Sequence, residues 1–192
     1  MDFRISPLTP AMADIFADYL SNLDFTHAPY FATCFCRFYH INCTDEEWME
    51  RKGEQNREES KAAIKDGSMK GYLAFNGNKC IGWLNANSVD SYLRLEDSLT
   101  PFTEDKKAGL AICFVIHPDY RNQGIATSLL EKAIEGFKEE GYEVIFGLST
   151  KNADIPLVKQ YSGTYTMFSK LGFEEVGVLG HRVILRKWLS SP

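Results

Sequence analysis

Two stretches of this chain are apolar at nearly every position, AGLAICFVI at 108–116 and YEVIFGLS at 142–149. A strand with no polar alternation must be covered on both of its faces. Between them, Ile125, Leu129, Leu130, Ala133, Ile134 and Phe137 recur at helical spacing and share one face of a single helix. Strand, helix, strand in that order implies a parallel or near-parallel crossover, which limits the fold to a sheet flanked by helices.

The remaining segments supply the rest of one α/β (α+β) domain spanning residues 1–192, with no linker that would divide it. FRISPLT reads as a first strand. TPAMADIFADYLSNL reads as a helix with Thr9 as N-cap and Pro10 at its first position. The stretch from 44 to 67 opens with Thr44 and Glu47 in capping-box spacing and stops near Gly67, with Gly53 able to break it in two. Asn76-Gly77 between the apolar runs KGYLAF and KCIGWLNANS marks a hairpin. After the polar loop TKNADIPLVKQ come a short helix, GTYTMFSKLG, and two closing strands, FEEVGV and RVILRKW. The aromatic and cysteine-rich YFATCFCRFYHINC takes no clear assignment, and it lies within a variable segment at about 20–67.

A net charge of −5 without a long basic block argues against a nucleic acid partner. No run of about eighteen apolar residues offers a membrane span, and the N-terminus lacks the order of a signal peptide. Five cysteines at irregular spacing fit a reducing compartment, so the expected location is cytoplasmic.

The turn between the first apolar strand and its helix, HPDYRNQGIAT, has the composition of an anion cradle. The first amides of a helix have no partner within it, and the helix dipole adds about half a positive charge there. Gly124 lets a ligand approach the backbone, and Arg121 adds a forked, permanently charged donor.

These residues resemble the GCN5-related N-acetyltransferases (GNAT). RNQGIA matches their signature of Arg or Gln, two residues, Gly, one residue, then Gly or Ala, and YTMFSKLGFEEVGV is similar to their helix and strand pair ending in Leu-Gly-Phe. The resemblance covers about 70–188 together with the first strand and helix. It implies a mixed sheet of about seven strands splayed at the fourth, with acetyl-CoA as co-substrate in the cleft. The diphosphate would sit on the amides of Asn122, Gln123, Gly124, Ile125, Ala126 and Thr127 beside Arg121. Phe114, Val115 and Ile116 would pair with the pantetheine arm, and Asn152 would also reach the cofactor. The acceptor would be a primary amine on a small molecule, peptide or protein. Dimers are frequent in the family, so a homodimer is an open expectation.

The usual catalytic tyrosine of the family falls at Phe168, which has no proton to give. Tyr165, on the same helix face, is the expected substitute acid, with adjacent Ser169 as another. The glutamate that some members carry on the fourth strand falls at Ala111, leaving Glu96, Asp97, Glu104 and Asp105 as loop candidates for a base. The missing acid and base motivate a second reading, a CoA-binding sensor or interaction module without catalysis. A nucleotide-binding or phosphotransfer enzyme is disfavoured, because neither a P-loop nor a dinucleotide fingerprint is present.

Cys34, Cys36, His40 and Cys43 have ligand chemistry but not the spacing of a usual zinc knuckle, and no metal is expected. Cys-x-Cys in a strand places Cys34 and Cys36 on one face. Phe31, Phe35, Phe38 and Tyr39 are expected in the core or along an aromatic acceptor pocket. Trp83, Asn85 and Asn87 share one face of their strand, facing either the cleft or the core. His117 reads as structural, and His27 and His181 have no partner identifiable from sequence.

Overall fold

The parallel crossover is present in the computed structural model, which describes residues 2–151 and 161–189. In chain order the elements are β1 (Arg4–Pro7), α1 (Ala13–Ser21), α2 (Asp45–Glu50), α3 (Gly53–Asp66), β2 (Gly71–Asn76), β3 (Lys79–Ser88) and α4 (Glu96–Leu99). They continue with β4 (Ala108–Ile116), α5 (Ile125–Glu139), β5 (Val144–Ser149), α6 (Tyr165–Lys170), β6 (Glu174–Leu179) and β7 (Arg182–Trp188). The seven strands form one sheet in the order β1-β2-β3-β4-β5-β7-β6. Only β4 and β5 are parallel neighbours; every other pairing is antiparallel.

Helix α5 packs on β2, β3 and β4, burying the apolar face read from the sequence, while α1 and α3 pack together with α1 against β3. Phe16 of α1 meets Trp83 of β3 edge to face at 4.8 Å. Trp83, Asn85 and Asn87 are all buried, so their shared face is turned into the molecule.

The sheet opens at its fourth strand for a local reason. Pairing of β4 with β5 covers only Ala108–Ala111 against Val144–Gly147, although β4 continues to Ile116. Opposite β3, the register runs Leu84 to Phe114 and then Asn85 to Ile112, leaving Cys113 as an extra residue with φ of 62°. Such a bulge bends its strand and sharpens its twist. The far half of β4 therefore turns away from β5.

The capping box forms as read, with Thr44 Oγ1 accepting from the Glu47 amide and Glu47 accepting from the Thr44 amide. The break at Gly53 and the stop at Gly67, with φ of 81°, are also present. Thr9 does not act as a side-chain cap. The helical segment begins with a tight turn at Pro10–Met12, and the Met12 amide is bonded to the Thr9 carbonyl.

The Cys34 and Cys36 segment is not a strand. It is a series of tight turns in which Phe35 and Cys36 adopt φ of 44° and 56°. The turn carbonyls are satisfied from α3, where Asn56 donates to Thr33 O and Ser60 donates to Phe35 O, both at 2.8 Å.

Candidate active site

β4 ends at His117-Pro118, and a single turn at Pro118–Tyr120 delivers Arg121 to the start of α5. Asn122 and Gly124 both have left-handed backbones, with φ of 59° and 81°. Gly124 is the N-cap of α5 and supplies no side-chain acceptor, so the first-turn amides have no side-chain cap. A methyl group added at Gly124 would meet nothing within 4 Å, so this backbone faces open space. Arg121 Nε donates to the Ile116 carbonyl at 3.2 Å, and no carboxylate pairs with Arg121 among the described residues. The result is a helix start without a side-chain cap, with one cation beside it and open space in front of Gly124.

This turn forms one end of a cavity of about 450 Å³. Of the residues expected to hold a cofactor, Phe114, Ile116, Arg121, Asn122, Gly124, Ile125, Ala126 and Thr127 line it. Val115 is buried, and its carbonyl accepts from the Tyr19 hydroxyl at 2.9 Å. Gln123 is exposed and donates to the Asp119 carbonyl at 3.1 Å. Asn152 lies outside the described residues.

The opposite wall is built by Tyr161, Gly163, Thr164 and Met167. Tyr161 is held at both ends. Its backbone carbonyl accepts from the Phe114 amide at 2.6 Å, just beyond the β4 bulge, and its hydroxyl lies 2.8 Å from His27 Nε2. Phe31 packs on its ring at 4.3 Å between centroids. Burial raises the Tyr161 pKa above the ordinary phenol value, with the Arg121 charge acting in the opposite direction.

Phe168 is fully buried, not presented to the cavity mouth. Its ring contacts Phe114 and Phe173 edge to face, and a methyl on Gly147 would sit 2.3 Å from it. Tyr165 points to β6, with its hydroxyl 3.5 Å from Glu175 and Lys151 Nζ 4.9 Å from its ring centre. The cavity wall uses Thr164 and Met167 on either side of it. Glu96, Asp97, Glu104 and Asp105 do not line the cavity, and Glu104 is paired with Arg186 at 2.7 Å.

Several polar side chains of the 30–43 segment are fully engaged with neighbours. His40 donates from Nδ1 to the Ser91 carbonyl at 2.7 Å and accepts at Nε2 from Asn85 at 2.9 Å, while the Tyr92 hydroxyl donates to Asn85 Oδ1 at 2.9 Å. Burial pushes the His40 pKa down to about 4, so the ring is neutral. Cys36 Sγ accepts from the Trp83 indole at 3.2 Å, Cys43 Sγ from Arg94 at 3.1 Å, and Tyr39 from Arg182 at 2.8 Å. Among the described residues no group of three His, Cys, Asp or Glu side chains is placed to hold a metal ion. His117 accepts from the Asp119 amide at 3.3 Å as part of the turn, in keeping with a structural role.

Two residues at the site were not legible in the sequence. Tyr161 follows a polar loop with no periodic signal, and His27 lies 134 positions away from it. Only the packing of the segment after β5 against the segment after α1 brings them together.

A mixed sheet split at a bulged fourth strand, with an uncapped glycine turn opening into the split, defines an acetyltransferase fold. The profile of the acetyltransferase (GNAT) family matches residues 35–162, well over half of the chain, and the chain belongs to that family. Over 55 residues it is 40% identical to the amino-acid acetyltransferase of Shewanella oneidensis, a match covering 29% of this chain but only 12% of that protein. Its fold is similar to that of a mosquito arylalkylamine N-acetyltransferase like 5b, with a TM-score of 0.61 at 13% identity over 97% of this chain and 100% of the other. It is also similar to the PaiA N-acetyltransferase of Thermoplasma acidophilum in complex with coenzyme A, with a TM-score of 0.55 at 14% identity over 98% and 99%. At these identities the structural likeness is one of fold. No helix among the described residues is long and apolar enough to cross a membrane.

Proposed function

We propose that this protein is an acetyl-CoA-dependent N-acyltransferase that moves an acetyl group directly to a primary amine. The observation that carries this reading is the uncapped, left-handed start of α5 opening into the cavity between β4 and the Tyr161 wall. The amides from Asn122 to Thr127 would hold the diphosphate, with the dipole of α5 and the Arg121 guanidinium opposing its charge. The arm would run along Phe114 and Ile116 toward the bulge at Cys113. The Phe114 amide already donates to Tyr161, so the arm would pass along β4 with that bond kept and pair with other backbone groups of the strand. The fold neighbour solved with coenzyme A supports the choice of carrier.

The acceptor must attack as a neutral amine. Among the described residues that line the cavity there is no carboxylate, and we assign the proton released by the attacking nitrogen to water. Neighbours named for arylalkylamines and amino acids support a small-molecule amine as acceptor, with a peptide or protein amine as the alternative. The five free cysteines fit the reducing cytoplasm.

Calorimetric titration with acetyl-CoA, free CoA and ATP tests the reading. Saturable one-site binding of acetyl-CoA, well above ATP, is expected. Absence of binding, or preference for ATP, would overturn it. The burial of Phe168 where the family places a tyrosine favours one competing reading, a CoA-binding module without turnover. Tight binding with no CoA released across a broad amine panel would select that alternative.

A further inference from the structure

Loss of the thiolate from a thioester is assisted by a proton, and the family's usual donor position is here filled by buried Phe168. The cavity itself contains two phenols, Tyr120 and Tyr161. Tyr120 belongs to the anion end: it precedes Arg121, its hydroxyl lies 3.5 Å from Asn76 Nδ2, and Lys79 Nζ lies 5.3 Å from its ring centre. Tyr161 is tied to Phe114 beside the strand bulge where the arm would finish, near enough to Arg121 for that charge to act on its hydroxyl.

We propose that Tyr161 is the catalytic proton donor of this site and that His27 is its positioning residue. The inference rests on the acetyltransferase reading above. With its proton on Nε2, His27 donates to the Tyr161 oxygen across their 2.8 Å contact, which leaves the phenolic hydrogen free to be transferred. As the amine nitrogen forms its bond to the acetyl carbon, the C–S bond breaks and its electron pair passes to sulfur. The Tyr161 proton goes to that sulfur and leaves free CoA. The phenolate, stabilised by His27, recovers a proton from water through the imidazole, while the nitrogen loses its own proton to water. Protons and electrons balance without a further reactant.

The phenylalanine variant isolates the hydroxyl. Tyr161→Phe keeps the backbone bond to Phe114 and the ring packing on Phe31, and it removes only the O–H. The assay is acetyl-CoA with tryptamine, spermidine, kanamycin and L-glutamate as acceptors, following release of the CoA thiol. Calorimetry with acetyl-CoA accompanies each variant. The expected result is a kcat at least tenfold lower for Tyr161→Phe, with acetyl-CoA affinity within twofold of the unmodified protein. His27→Ala should lower kcat to a similar extent. His27→Gln should recover most of it, because the amide N–H can still donate to the phenol oxygen. An unchanged kcat in Tyr161→Phe, or equal losses of binding and turnover, would overturn the assignment while leaving the acetyltransferase reading intact. Release of no CoA by the unmodified protein with any of these amines, despite binding acetyl-CoA, would overturn both.

Discussion

The Tyr161 carbonyl accepts the Phe114 amide at 2.6 Å, joining the segment after β5 to the part of β4 that has turned away from β5. A hydrogen bond that sheet pairing would otherwise make is made here by an irregular segment, which becomes a wall of the cavity. The cleft therefore has a side-chain-rich face toward Tyr161 and a backbone-rich face at the start of α5. Different substitutions should report on each.

Gly124→Glu brings a negative charge to the cradle and forces a side chain onto a backbone with φ of 81°. Acetyl-CoA affinity should fall at least tenfold, or about 1.4 kcal/mol. Calorimetry on a variant whose circular dichroism matches the unmodified protein decides this, and unchanged affinity would remove the cradle from the account.

Arg121→Gln removes the one cation among the described residues that line the cavity. Charge-assisted hydrogen bonds contribute about 1.5–3 kcal/mol when well shielded, and Arg121 is partly exposed, so a loss of roughly five- to tenfold in affinity is expected. Titrations at two salt concentrations should also show a weaker ionic-strength dependence in the variant.

Phe168→Tyr would restore the family's usual side chain, yet it should not raise kcat. The ring is fully buried against Phe114, Phe173 and Gly147, so an added hydroxyl enters a packed site. An unpartnered buried hydroxyl costs about 1–3 kcal/mol, enough to lower Tm by a few degrees in a domain of this size. A rise in kcat with Tm unchanged would show that this position reaches the cleft after all.

Acid should weaken the fold through His40. Its folded pKa of about 4 lies below the value near 6.5 of an unfolded histidine, so between those limits the unfolded chain binds more protons. Stability from the neutral His40–Asn85–Tyr92 network is thus fully present above about pH 6.5 and is lost as pH falls toward 4. Urea midpoints at pH 7 and pH 5 should differ less in His40→Gln than in the unmodified protein. An identical difference would show that other groups set the acid limit.

Local and periodic features were open to reading from the chain. The apolar faces of β4, β5 and α5, the Thr44 capping box, the Asn76-Gly77 hairpin and the glycine turn all depend on interactions within a few residues. Propensity and spacing suffice for them, because the physics that forms them is local. The family signature is equally local, since it describes a turn whose contacts are made by its own backbone.

What the chain order could not show is which distant segments share a wall. The bulge at Cys113 arises from a mismatch in length between β3 and β4, visible only once both are paired. Phe168 became core because β5 presents Gly147 beneath it, and Tyr161 entered the cleft because Phe114 and His27 hold its two ends. The sequence alone thus determined an acetyltransferase-type sheet with the family's glycine turn at the start of α5. Tertiary structure decided which phenols line the cavity, because long-range hydrogen bonds and burial choose among side chains that composition leaves equivalent.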